Sequence, residues 1–140
     1  MRAPRPTASP RRHRLVATGR DRGSVSIQMV TMLPLLFTVM FLGMQGALYY
    51  HARTVAIAAA QEGARVAGSE GGTGSEGAAA ATGFVADAGG DGVIRSATVS
   101  SQRSATTATV TVRGTAMSVI PGWALAINQS AAVPVERITR

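Results

Sequence analysis

The side chains that could do chemistry are few and widely spaced in this sequence of 140 residues. There is no cysteine, which excludes disulfides and thiolate metal sites. Neither histidine, His13 or His51, has an Asp or Glu at a spacing typical of metal ligands. No nucleophile elbow and no phosphate-binding glycine loop is present. The sequence therefore predicts a protein that is not an enzyme and that has no catalytic residues, no metal site and no cofactor.

The informative polar residues lie instead inside an apolar stretch. Residues 25–50 carry no charge, and as a helix they span about 39 Å, against about 30 Å for the hydrocarbon core of a bilayer. Small and hydrogen-bonding residues favour helix association in lipid. We therefore predict that one face of this helix packs against partner helices. At 100° per residue that face comprises Gln28, Thr31, Thr38, Gly43, Gln45 and Gly46. Pro34, at its edge, predicts a kink.

The positive charge is concentrated before this span. Residues 1–23 hold seven of the fourteen Arg and one Asp, whereas the remainder is nearly neutral. This predicts a basic leader that stays in the cytoplasm and an extracytoplasmic C-terminal part, because arginines flanking a span resist translocation. The expected localisation is the cell membrane, crossed once. The nearly neutral body argues against nucleic acid as a partner.

The span is predicted to continue as a helix out of the membrane to residue 67 and to end near Gly68. A stripe of small residues lines this extension, and it favours packing against neighbouring helices over anchoring a large core. The stripe comprises Ala52, Ala56, Ala59, Ala60, Gly63 and Ala67.

The remaining chain predicts a Gly-rich linker at 68–77 and a small extracytoplasmic domain at 78–140. A short Ala-rich helix is expected at 76–88. Alternating Val and Thr predict strands at 93–100 and 105–113, and a third at 130–137 that Pro134 places at a sheet edge. The fold class is therefore α+β: a long N-terminal transmembrane helix, a small helix, and an antiparallel sheet of about three strands.

Three segments, in this order, form a recognisable set: RGSVSIQMVTMLPLL at 22–36, RTVAIAAAQEGARVAG at 53–68 and VTVRGTAMSVIPGW at 110–123. They resemble TadE-like proteins, the pseudopilin-like proteins of tight-adherence type IV pilus systems, and in particular the actinobacterial type. The resemblance implies leader-peptide cleavage between Gly23 and Ser24 by a prepilin peptidase. It also implies that the partners are other pilus-assembly or pseudopilin subunits, contacted through helix packing.

The sequence departs from the family at Gln28, where pilin-like families have a Glu that is thought to pair with the free amine of a neighbouring subunit. An ammonium in low dielectric is costly unless neutralised, and an amide supplies polarity but no charge. The resemblance therefore implies an assembly contact at Gln28 and a pilus-assembly protein or minor pseudopilin rather than a major filament subunit.

An alternative remains open at this stage. The chain could be an anchored or secreted surface-binding module, unrelated to pili, whose outer sheet binds a ligand. In that case Ala56-Ile57-Ala58 could serve as a signal-peptidase site. The intact mass of the protein recovered from membranes separates the two hypotheses.

Overall fold

A computed structural model describes the backbone of residues 21–137 and the side chains of residues 27–137. Its elements are helices α1 (Asp21–Gly68) and α2 (Gly74–Asp87), a 3-10 turn (Gly90–Gly92), and strands β1 (Ile94–Arg103), β2 (Thr107–Ala116) and β3 (Ala126–Pro134). This confirms the predicted α+β class. The leader residues up to 20 lie outside the described residues.

The chain divides into two compact units after Leu36. The first unit is, in its described part, the N-terminal portion of α1, which remains helical through Pro34. The second unit begins at Phe37 and contains the rest of α1 and all the other elements.

Helix α1 ends at Gly68, as predicted. Carbonyl oxygens at a helix C-terminus lack intrahelical partners, and here the Arg103 guanidinium donates hydrogen bonds to the carbonyls of Ala67 and Ser69. The turn that follows includes Gly71 at φ +71°, a conformation that favours glycine.

Helix α2 begins earlier than expected, at Gly74, so that the second GSEG of the predicted linker forms its first turn. The cause is a capping box. The Thr73 hydroxyl accepts from the Glu76 backbone N–H at 3.2 Å, and the Glu76 carboxylate accepts from the Thr73 N–H at 2.9 Å.

The three strands form an antiparallel sheet in the order β1-β2-β3. The alternation predicted for β2 is confirmed, since Ala108, Val110 and Val112 are fully buried while Thr107 and Arg113 are exposed. Pro134 ends the edge strand β3, as its missing N–H requires. The strand boundaries differ from the predicted ones: β1 runs to Arg103, β2 runs from Thr107 to Ala116, and β3 starts four residues earlier, at Ala126, and ends at Pro134.

The core lies where the second half of α1 meets the sheet and α2. Its α1 members are alanines apart from Val55, and its larger side chains come mainly from α2 and the sheet. The buried members are Ala52, Val55, Ala56, Ala59, Ala60, Ala64, Ala81, Val85, Ile94, Val110, Val112, Ala116 and Ile127.

This core corrects the expectation that the small-residue stripe packs against neighbouring helices. The stripe is covered by the chain's own sheet and α2. Its small size allows a close approach: a Cβ atom at Gly63 would lie 2.5 Å from the Gly77 carbonyl oxygen and 2.8 Å from the Ala81 Cβ. The sequence shows the stripe, whereas its partner is determined by tertiary packing.

Candidate functional site

The candidate site is the exposed first half of α1. All eighteen residues from Ile27 to Met44 are exposed, among them the large apolar side chains of Val30, Leu36 and Phe41. At 1.5 Å per residue they span about 27 Å, close to the hydrocarbon thickness of a bilayer. A contiguous apolar surface of this size marks a membrane or protein contact.

Among the described residues one helix is long and apolar enough to cross a membrane, Ile27–Gly68. The part of it beyond Met44 contributes buried residues to the core. The uncovered portion, 27–44, is therefore the segment with the properties of an anchor.

Gln45 marks the end of the exposed run, with only 2% of its surface accessible. Its Oε1 accepts hydrogen bonds from the Val119 N–H and the Ser118 hydroxyl, both at 3.0 Å. Its Nε2 lies 3.4 Å from the Met117 carbonyl oxygen, a longer contact. The Ser118 hydroxyl has one hydrogen, which it can give either to Gln45 or to the Ile120 carbonyl at 2.8 Å.

These contacts correct the assignment of Gln45 to a partner-helix face. Its side chain is held by residues 117–119 of the same chain, because a buried amide requires hydrogen-bond partners. No sequence signal joins a glutamine in α1 to a loop more than seventy residues later.

The rest of the predicted packing face is exposed. Gln28, Thr31, Thr38, Gly43 and Gly46 are all accessible. A Cβ atom added at either glycine would meet nothing within 4 Å, so the chain's own fold places nothing against them. The Thr31 hydroxyl donates to the Ile27 carbonyl at 3.1 Å, a local bond within the helix.

Residues 23–65 match the family model described as TadE-like protein. This segment is similar to TadE-like proteins. No curated protein and no solved structure matches the chain.

The matched segment 23–65 contains the whole exposed run 27–44. It begins at Gly23 and ends inside the part of α1 that forms the core. Together with the candidate membrane helix, the match supports a pilus-associated protein anchored in the membrane near its N-terminus.

Gly23 and Ser24, the residues expected to flank the cleavage point of a TadE-like leader, lie in the first turn of α1. The side-chain environments of residues 21–26 are outside the described set. Pro34 lies within the continuous helix, and the kink predicted there stays a prediction.

Residues 27–137 contain no group of three His, Cys, Asp or Glu side chains that could hold a metal ion. His51 is exposed on α1, and His13 lies outside the described residues.

Proposed function

We propose that this protein is a TadE-like pilus-assembly subunit, or minor pseudopilin, held in the membrane by residues 27–44 and presenting its α+β domain outside the cytoplasm. The observation that carries the proposal is the coincidence of the TadE-like match with the uncovered apolar half of α1. An apolar helix surface that the chain's own domain does not bury requires contact with lipid or with other subunits.

The proposed orientation follows from charge. Five arginines lie between residues 11 and 22, directly before the span, whereas Arg53 and Arg65 are the only ones that closely follow it. Positive charge is retained on the cytoplasmic side, which places the N-terminus inside.

The proposed processing step is cleavage between Gly23 and Ser24 by a prepilin peptidase. A glycine lets the enzyme approach the backbone closely. Cleavage removes six net positive charges from the chain. It also removes an attraction to anionic lipid of about 1 kcal/mol per arginine near the surface. The subunit then leaves the bilayer more easily during assembly.

In the assembled state, the new amine at Ser24 lies about one helical turn from residue 28 of its own chain. We propose that Gln28 accepts a hydrogen bond from the corresponding amine of a neighbouring subunit. Thr31, Thr38, Gly43 and Gly46 form the face that packs against partner helices. Because Gln28 supplies no charge, this contact is weaker than an ion pair, which fits a minor subunit.

The alternative of a secreted module requires cleavage after Ala56-Ile57-Ala58. Such a cut would remove Ala52, Val55 and Ala56, which are buried in the domain core. The anchored form preserves that core.

N-terminal sequencing and intact mass of the protein extracted from membranes of the native host test the proposal. The mature chain is expected to begin Ser24-Val25-Ser26. Gly23→Leu should retain the leader, whereas Gly19→Leu, a matched change within the leader, should still be processed. A mature protein that keeps the leader arginines would contradict processing, and one that begins after Ala58 would support the secreted module.

A further inference from the structure

The loop between β2 and β3 has a composition unusual for a solvent-facing segment. Residues 114–135 contain no charge. Within the loop, Pro121, Gly122, Trp123 and Ala124 are exposed, and Val119 and Ile120 are partly so. Pro121 and Gly122 form a tight turn, in which the Trp123 N–H donates to the Ile120 carbonyl at 3.2 Å and Gly122 has φ +77°. Trp123, the single tryptophan of the chain, follows this turn with 42% of its surface accessible.

The position of this loop along α1 is determined by Gln45. The Ser118 hydroxyl and the Val119 N–H both bond to the Gln45 amide oxygen. Gln45 directly follows the eighteen exposed residues that match the hydrocarbon thickness. The loop therefore lies beside the helix at the level where the span ends.

Aromatic side chains lie at this level. Tyr50, 70% exposed, lies about 7.5 Å beyond Gln45 along α1. Tyr and Trp concentrate at this level of membrane proteins because their rings are apolar and their N–H or O–H groups are polar.

The positively charged side chain of Arg95 lies near Trp123. Arg95 and Trp123 line one shallow pocket of about 230 Å³, together with Thr115, Ser118 and Ile120. Arg95 is exposed. A guanidinium matches phosphate geometry, and arginines near a bilayer surface are attracted to anionic headgroups.

We propose that the β2–β3 loop docks onto the bilayer that holds the chain's own span, with Trp123 among the phospholipid headgroups and Arg95 at their phosphates. The docking holds the domain against the membrane surface until the subunit is extracted. This inference rests on the membrane anchoring in the proposed function, and the loop is a second, separate membrane contact.

The single tryptophan makes the test direct. The full chain is reconstituted into vesicles of phosphatidylcholine and phosphatidylglycerol that carry nitroxide-labelled lipid. Trp123 fluorescence should be quenched more by a nitroxide near the headgroup than by one near the chain end, and iodide in the water should quench it less than in the unfolded protein. Full access to iodide without lipid quenching overturns the inference. Protection from iodide without lipid quenching would show that the chain's own fold or a second copy shields Trp123, and it also overturns the inference.

A control label separates this inference from the proposed function. Because the chain lacks cysteine, Met40→Cys takes a single visible-wavelength fluorophore in the middle of the exposed run. Deep-lipid quenching of this label establishes insertion. If it is absent, the anchoring fails and the docking fails with it. If it is present while Trp123 is unaffected, only the docking fails.

The phosphate contact has its own matched pair of variants. For the wild type, more phosphatidylglycerol should increase headgroup-level quenching of Trp123. Arg95→Gln should reduce the ratio of docked to undocked loop about fivefold in such vesicles. The control is Arg65→Gln. Arg65 is exposed and lies about 30 Å beyond Gln45 along α1, so its replacement should leave the ratio of docked to undocked loop unchanged. Equal responses of the two variants would overturn the phosphate contact.

Discussion

Two glutamines of α1 show how the same residue type takes different roles. Gln28 is exposed, whereas Gln45 is buried and bonded through its amide to residues 117–119. An unsatisfied polar group in a protein interior costs free energy, so the Gln45 contact ties helix and loop together. Gln28 has its amide available for a contact outside the chain.

Replacing Gln45 by alanine should destabilise the domain. The change leaves the half-buried Val119 N–H without its acceptor, and the expected loss in free energy of unfolding is about 1–3 kcal/mol. The measurement is chemical unfolding of the detergent-solubilised protein, followed by Trp123 fluorescence. Gln28→Ala is the matched control and should leave the unfolding midpoint in place. Equal midpoints for wild type and Gln45→Ala would show that the contact contributes nothing.

Two helical glycines are expected to respond in opposite directions to the same change. At Gly63 an added methyl group meets the Gly77 carbonyl oxygen and the Ala81 Cβ, and overpacking of this kind costs about 1–3 kcal/mol. At Gly83, in α2, it meets nothing within 4 Å, and alanine should stabilise by about 0.5–1 kcal/mol through helix propensity. The unfolding midpoints of Gly63→Ala and Gly83→Ala measure this. Two shifts of the same sign would contradict the close packing of α1 on α2.

At the scale of the element, α1 combines two surfaces in one continuous helix. From Ile27 to Met44 its side chains are exposed, and beyond Gln45 one side of it is buried under the sheet and α2. The small residues of the second half serve the chain's own core. Of the predicted packing face, Gly43 and Gly46 are small residues that no part of the chain's own core covers, since a Cβ atom added at either would meet nothing within 4 Å.

Gly46→Leu is expected to weaken association with other membrane subunits. Gly46 is exposed and a Cβ atom added there would meet nothing within 4 Å, so we expect a loss of association to come from bulk placed where a partner backbone approaches. Crosslinking in native membranes, followed by co-purification, measures the effect. Met40→Leu, a change between exposed apolar side chains, is the control. If both variants associate like the wild type, this face of α1 is not an interface.

At the scale of the whole molecule, charge asymmetry is the dominant feature. The formal net charge of +7 resides almost entirely in the leader. The rest of the chain is close to neutral, which suits the proposed location of the domain outside the cytoplasm. The proposed orientation and the proposed processing therefore both depend on residues 1–23.

The topology is testable by reporters fused after Arg140. A reporter that works only outside the cytoplasm should be active there, and a cytoplasm-only reporter should be silent, because the leader arginines resist translocation. Replacing the five arginines between residues 11 and 22 with glutamine should reduce this bias. Activity of the cytoplasmic reporter on the unaltered chain would overturn the assignment.

Local patterns in the sequence determined most of the elements. The uncharged run and the helix-compatible extension to Gly68 predicted α1, and the alternation of Val110 and Val112 with threonines predicted the buried face of β2. These predictions succeed because each depends on neighbours within one or two turns or on a period of two. The early start of α2 was also encoded locally, in the spacing of Thr73 and Glu76, although the glycines around them predicted a linker.

Tertiary structure alone decided what covers each surface. The small-residue stripe and Gln45 looked like contacts for partner helices, since periodicity shows that a face is special without showing what lies on it. The sheet, α2 and residues 117–119 cover them instead. These contacts join residues far apart in the chain, and they form because a sheet with one apolar face must bury it against another element. The same packing leaves residues 27–44 bare and brings the loop of Trp123 to the end of the span.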